Sequence, residues 1–259
     1  MSSFTNTQAN AISAATKKLS STRLADTILD GIGGLRERSD IKPPISFSEQ
    51  EQGLVSLFEN LSGINRIRIK ENPKSFKTRP LVHSCVEIKP SRKNRLIGSL
   101  MSKRTVADIT YRSDLTEAQI NFAVVKECAH VFIRKSIGEQ TTSLMKDWPD
   151  MKEEQLDILD ELISNDLLRI DLDDEPEGLT PQKIAIWHLE RKATRLAMRV
   201  LVPKYFYKDM MLHVEQLRKT ETSEALEEWL VRMNQVHLKL PDDKFEKLTR
   251  GKYSFLNYT

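Results

Sequence analysis

The sequence predicts an α+β fold in which a small, mostly antiparallel sheet packs on one buried motif helix, with additional helices around it. Three observations carry this prediction. Between Ile64 and Tyr111 apolar residues recur with a period near two, in short runs broken by Pro73, Pro80, Pro90 and the Lys93-Asn94-Arg95 turn, the pattern of short strands joined by turns. On either side of that region the apolar period is helical. Two helices beyond it carry clear start signals, at Thr116 and at Thr180. A chain of 259 residues with 39% apolar content has enough material for one large core or two modest ones.

Taken in order, residues 1 to 22 are rich in Ser, Thr, Asn and Ala, with little apolar patterning beyond Phe4 and Ile12. They read as a frayed or adaptable tail. Leu24, Ile28 and Ile32 predict a short helix stopped by Gly33-Gly34, and Lys42-Pro43-Pro44 reads as a linker or turn. Ser46 or Ser48 caps a helix through Leu61 with Leu54, Val55, Phe58 and Leu61 as its stripe and Gly63 just beyond. Strands follow at Ile64 to Lys70, Leu81-Val82-His83, Val86-Glu87-Ile88 and Val106 to Tyr111, with basic side chains on the exposed face.

Thr116 then caps the motif helix, with Gln119 completing a capping box and Leu115 stapled to Ile120. That helix is predicted to run from Glu117 to Arg134 or Lys135, with Gly138 past its end. An acidic helix from Lys152 to Leu168 carries Leu156, Leu159, Leu162, Ile163 and Leu167, and Asp171 to Gly178 forms an acidic loop. Leu179-Thr180-Pro181 opens the next helix, which must end by Pro203. The rest offers a helix near Ser223 to Val236 and a short tail; no internal repeat is visible. Three regions result: 1–45, a central domain 46–205 with an acidic helical insertion at about 147–178, and a C-terminal helical extension 206–259.

Composition excludes several classes. No apolar run approaches the eighteen or so residues of a membrane helix, and no basic segment followed by an apolar one opens the chain. The expected location is the cytoplasm, Met1 is expected to mark an unprocessed start, and no membrane partner is expected. Cys85 and Cys128 are too few for a disulfide framework or a thiolate zinc site. The formal charge of +3 hides a segregation: Arg66 to Arg104 holds twelve Lys or Arg against Glu71 and Glu87, whereas Asp147 to Glu177 holds thirteen acids against Lys152 and Arg169. Either the two surfaces partly neutralise each other, or the basic one meets an acidic or nucleic-acid partner. Only Phe76 and Tyr111 accompany the basic run, so phosphate contact is the expected mode and base stacking is poorly supported.

The motif helix contains Lys126-Glu127-Cys128-Ala129-His130. In a zinc peptidase helix, His-Glu-x-x-His places two ligands one turn apart and a Glu beside the metal-bound water; here the first His is Lys126. Spacings of three and four put Ala123, Lys126, Glu127 and His130 on one face, amid Phe122, Val124, Val125, Val131 and Phe132. Charges in such surroundings are costly unless paired or bound. In the second helix, Glu190, Ala193 and Ala197 share a face, small residues that let a neighbouring helix approach closely.

Together Ile109-Thr110-Tyr111, the Leu115 to Gln119 lead, Phe122 to His130 and Glu190-x-x-Ala193-x-x-x-Ala197-x-x-x-Leu201-x-Pro203 resemble the ImmA/IrrE family of metallopeptidases, over roughly residues 54 to 205. The resemblance implies a zincin-like domain whose zinc is held by two His and a downstream Glu, with the Glu of the first motif as general base. On this chain it implies His130 and Glu190 as ligands, Glu127 as base, and Lys126 in place of the first ligand. The acidic helix lengthens the usual spacing between the two motifs. A Lys ligates zinc only when neutral, and deprotonating it at pH 7 costs roughly 4.6 kcal/mol, so no zinc or weakly bound zinc is expected. The Lys126 ammonium would instead bridge Glu127 and Glu190 and keep both ionised.

The expected function is therefore a non-catalytic regulatory or protein-binding pseudopeptidase, whose partner by resemblance is a helix-turn-helix repressor of a mobile element or stress response. The alternatives are an active zinc endopeptidase cleaving such a repressor and a nucleic-acid-binding protein using Arg66 to Arg104. A substitute metal ligand is hard to find: Cys128 faces away from His130, His188 points to a different side from Glu190, and His213 or His237 could arrive only through tertiary folding. His83 reads as a structural or surface residue and Cys128 as a small core residue.

Overall fold

The computed structural model describes residues 5–21, 23–30, 47–71, 76, 79, 81–90, 105–140, 152–168, 174–202 and 204–250. The expected stops and turns at Gly33-Gly34, Lys42-Pro43-Pro44, Pro73, Pro80, Lys93-Asn94-Arg95 and Pro203 lie outside these residues, as do much of the basic run and the side chain of His237. The fold is α+β. Strands β1 (Arg66–Glu71), β2 (Ser84–Pro90) and β3 (Thr105–Tyr111) form one sheet in the order β1-β3-β2. This sheet is mixed, not mostly antiparallel: β2 pairs antiparallel with β3, but β1 pairs parallel with it, Ile67 opposite Ala107 and Ile69 opposite Ile109. A parallel pair needs a long connection, and the chain from 72 to 104, which contains β2, supplies it. Central β3 buries Val106, Ala107 and Ile109.

Helices α1 (Asn6–Lys18), α2 (residues 23–30), α3 (Phe47–Ser62), α4 (Glu117–Gln140), α5 (Lys152–Ser164), α6 (Pro181–Leu201), α7 (Lys204–Thr220), α8 (Ser223–Met233) and α9 (Asp242–Thr249) complete the described fold. The sheet and α3 pack on α4, α4 packs on α6, and α1 and α5 pack on α6 as well. The predicted capping box of α4 is present: the Thr116 amide donates to Gln119 Oε1 at 2.9 Å and the Gln119 amide to Thr116 Oγ1 at 3.3 Å.

Several expectations give way: Leu81-Val82-His83 form no strand, the acidic helix ends at Ser164 instead of Leu168, and three further regions differ. Residues 5–21 are not a frayed tail: α1 has a full capping box at Thr5 and buries Ala9, Ile12, Ser13, Ala15 and Thr16 against the helical core. Its buried strip is mostly small and weakly apolar, so no hydrophobic pattern marks it; it is held by closeness to α6. Helix α4 continues through Gly138 to Gln140. Glycine costs a helix interior about 1 kcal/mol, whereas burying an Ile contributes about 1.5–3 kcal/mol, and Ile137 is fully buried. The C-terminal part holds α7 and α9 besides the expected helix, and that helix ends at Met233 in a π-helical turn, Asn234–Leu238.

The acidic helix α5 is built into the fold through Leu162 in the main core and through Leu156 and Leu159 in a smaller cluster with Phe76 and Val82. Arg79 from the basic run meets Asp157 of α5, Nη2 to Oδ1 at 2.7 Å, a direct contact between the two oppositely charged regions.

Candidate functional site

The site is made where α4 crosses α6. Thr180 caps α6 by accepting from the Lys183 amide, and Pro181 begins the helix, which fixes the phase of the residues downstream. Ala193 and Ala197 have no exposed surface and leave room for α4 beside Glu190. The Lys126 ammonium donates to Glu190 Oε2 at 3.0 Å and lies 3.1 Å from Glu127 Oε1. His130 Nε2 lies 3.0 Å from the other Glu190 oxygen, Oε1, outside hydrogen-bonding alignment. All four sequence-selected residues, Lys126, Glu127, His130 and Glu190, are thus brought together, joining motifs from the two helices.

A fifth member was missed. Ser84, fully buried at the first position of β2, donates from Oγ to Glu127 Oε1 at 2.7 Å. Nothing in its local pattern marks it; only the packing of β2 on α4 brings it there. Glu127 therefore carries two partners on one oxygen.

The electrostatics follow from this arrangement. Burial by itself would lower the Lys126 pKa, but the charges of Glu127 and then Glu190 outweigh it and hold the ammonium above the ordinary lysine value. For Glu190, burial pushes upward, while His130 and then Lys126 outweigh it and keep the carboxyl well below the usual range. Lys126 is a cation fixed between two carboxylates and not a base.

As arranged, the Lys126 ammonium stands between the two carboxylates and supplies the positive charge there, while the buried His130 Nε2, without an aligned partner, is a donor left open. Among the described residues no three His, Cys, Asp or Glu side chains form a metal-holding group. The other expected candidates lie elsewhere. Cys128 is buried in the main core, where burial pushes its thiol pKa up. His188 Nε2 contacts Glu175 Oε2 at 2.9 Å, and His213 packs on the Trp229 ring at 4.7 Å between centroids.

Two spaces adjoin the cluster. A cavity of ≈ 40 Å³ lies between Ser84, Glu127, His130, Arg134 and Glu190, enough for a water molecule. On the other side a cleft of ≈ 370 Å³ opens above Lys126 and Glu190. Phe122 and Ala123 of α4, Leu159 and Ile163 of α5, and the α9 segment wall it, and His83 stands on its rim, which gives this residue a place near the site that the sequence had not assigned. No protein-family model, no curated protein and no solved structure matches the chain.

Proposed function

We propose that this chain is an ImmA/IrrE-like pseudopeptidase that binds a protein partner, such as a helix-turn-helix repressor, in the cleft over Lys126 and Glu190 without hydrolysing it. The observation that carries the reading is the Lys126 ammonium held by both Glu127 and Glu190, in the position where an active member would need a neutral ligand. Hydrolysis by a zinc site depends on a metal-bound water beside a free carboxylate; here the corresponding carboxylate, Glu127, is engaged by Ser84 and Lys126. A zincin-like identity and a cytoplasmic regulatory role belong to the same proposal.

Metal content of the purified protein, wild type against Lys126→His, tests it. The expected result is no stoichiometric zinc in the wild type, zinc in the variant, and a stable repressor complex without cleavage. Stoichiometric wild-type zinc together with repressor cleavage abolished by a chelator would overturn the proposal in favour of an active endopeptidase.

A further inference from the structure

One wall of the cleft outside the two motif helices comes from the C-terminal segment, and its construction is specific. The π-helical turn after α8 ends at Lys239 in the left-handed region, φ 48°. The buried Asn234 side chain then clamps the backbone of Leu240 twice, donating to its carbonyl at 2.9 Å and accepting from its amide at 3.0 Å. From this anchor α9 buries Phe245 and Leu248 on one side and turns Asp243, Lys244 and Lys247 toward the cleft.

The charges lining the cleft differ in what they are committed to. Lys126 is held by Glu127 and Glu190, and Lys244 pairs with Asp243 at 2.7 Å. Asp166 stands on the opposite lip, exposed. Lys247, half-buried, has no ion pair or hydrogen bond among the described residues. The His83 ring stands on the rim of the same cleft. It keeps an exposed edge, but desolvation, then the charges of Lys126, Arg112 and Lys244, hold its pKa below the ordinary histidine value, with Asp243 opposing. The α4 and α5 side of the lining is largely apolar, chiefly Phe122, Leu159 and Ile163, while Ser84, Gln119 and Thr194 add polar groups.

We propose that the cleft selects a peptide carrying a carboxylate next to an apolar side chain, the carboxylate meeting Lys247 and the apolar group seated between α4 and α5. This rests on the protein-binding reading above and adds the chemistry of what is bound. A carboxylate supplies an ion-pair partner for Lys247, which has none among the described residues, and an ammonium–carboxylate contact is charge-assisted. The carboxylate can come from a chain terminus or from an Asp or Glu side chain, and both meet the same ammonium.

A randomised heptapeptide library, probed with full-length protein, tests it in three formats: free C-terminus, amidated C-terminus, and amidated with one fixed internal Glu. Peptides enriched on wild type over Thr194→Trp, a variant that fills the cleft, are then measured singly. The carboxylate-bearing formats are expected to bind at least tenfold tighter than neutral amidated peptides of the same sequence. Lys247→Met should remove that difference, Lys247→Arg should keep it, and Lys247→Glu should reverse it toward Lys-containing peptides. Whichever carboxylate format dominates identifies the source. Equal binding with and without a carboxylate, or a preference untouched by Lys247→Met, overturns this inference and leaves the protein-binding reading standing. No enrichment over Thr194→Trp in any format overturns both.

Discussion

Helix α6 takes part in two Lys–Glu–His clusters, and they behave differently. On its inner side Lys126 and His130 meet Glu190; on its outer side Lys17 and His188 meet Glu175, at 2.7 and 2.9 Å. The residue types and distances are nearly the same, but the inner side chains are 15, 5 and 13% exposed, whereas Lys17 and Glu175 are 52 and 35% exposed. In water an ion pair at such distances contributes little, because solvent screens it and ordering long side chains costs entropy. Buried, the same pair resists separation strongly, because either member left alone is an uncompensated charge. Both Glu190 and Glu175 have lowered pKa values, so the direction of a shift does not tell the clusters apart; burial does.

Removing the lysines separates the clusters most sharply. Lys126→Met is expected to cost about 3–5 kcal/mol of unfolding free energy, the usual penalty for stranding buried charge, with chemical denaturation as the measurement. A loss similar to that of Lys17→Met would mean that the inner cluster is wetter than its geometry indicates. Adding Glu190→Met to Lys126→Met should recover part of the loss, giving a coupling of about 0.5–3 kcal/mol in a double-mutant cycle; strict additivity would show that the two residues do not interact.

Acid gives the next largest contrast. The folded-state pKa of Glu190 is depressed, so its stabilising contribution is complete above the unfolded value near 4.5 and is lost as pH falls from there through the folded value. The stability difference between wild type and Glu190→Gln should therefore shrink as pH falls below about 4.5, and a difference constant down to pH 3 would contradict the assignment. Glu175 titrates with the same sign, Lys17 being the main cause, but solvent reduces its effect.

The smallest effect is on the outer side. Lys17→Met should cost about 0.2–1 kcal/mol, and the loss should vanish in 1 M NaCl, where the screening length is about 3 Å. A larger, salt-independent cost would mean that Lys17 helps dock α1 through packing of its stem.

Where a helix carries its own punctuation, its start could be read in advance. The Thr116 capping box and the Thr180-Pro181 start both stand where expected, because caps are satisfied within four residues. Helix ends were less legible: α4 runs past Gly138 because Ile137 has a core to enter, which is a tertiary fact. Helix α1 escaped notice for the same reason, since Ala9, Ser13 and Thr16 gain meaning only against α6. The parallel pairing of β1 with β3 was equally invisible, because strand direction is set by the path of the intervening chain and not by the alternation within a strand.

For the site, the sequence by itself determined which three residues share a helix face, and the family resemblance implied Glu190 as their counterpart. Lys126, Glu127 and His130 share one face by helical spacing, and Glu190 with its two alanines marks the helix that can approach them. Local order dictates both, since a helix phases its side chains without help. Only the tertiary structure decided what those residues do to one another: Ser84 arrives on Glu127 from a strand, and the surrounding core keeps the Lys126 pairing largely out of solvent. It also decided what lies above them, a cleft with α9 as one wall and with Lys247 on it, unpaired among the described residues, because a wall built from distant segments has no counterpart in sequence spacing.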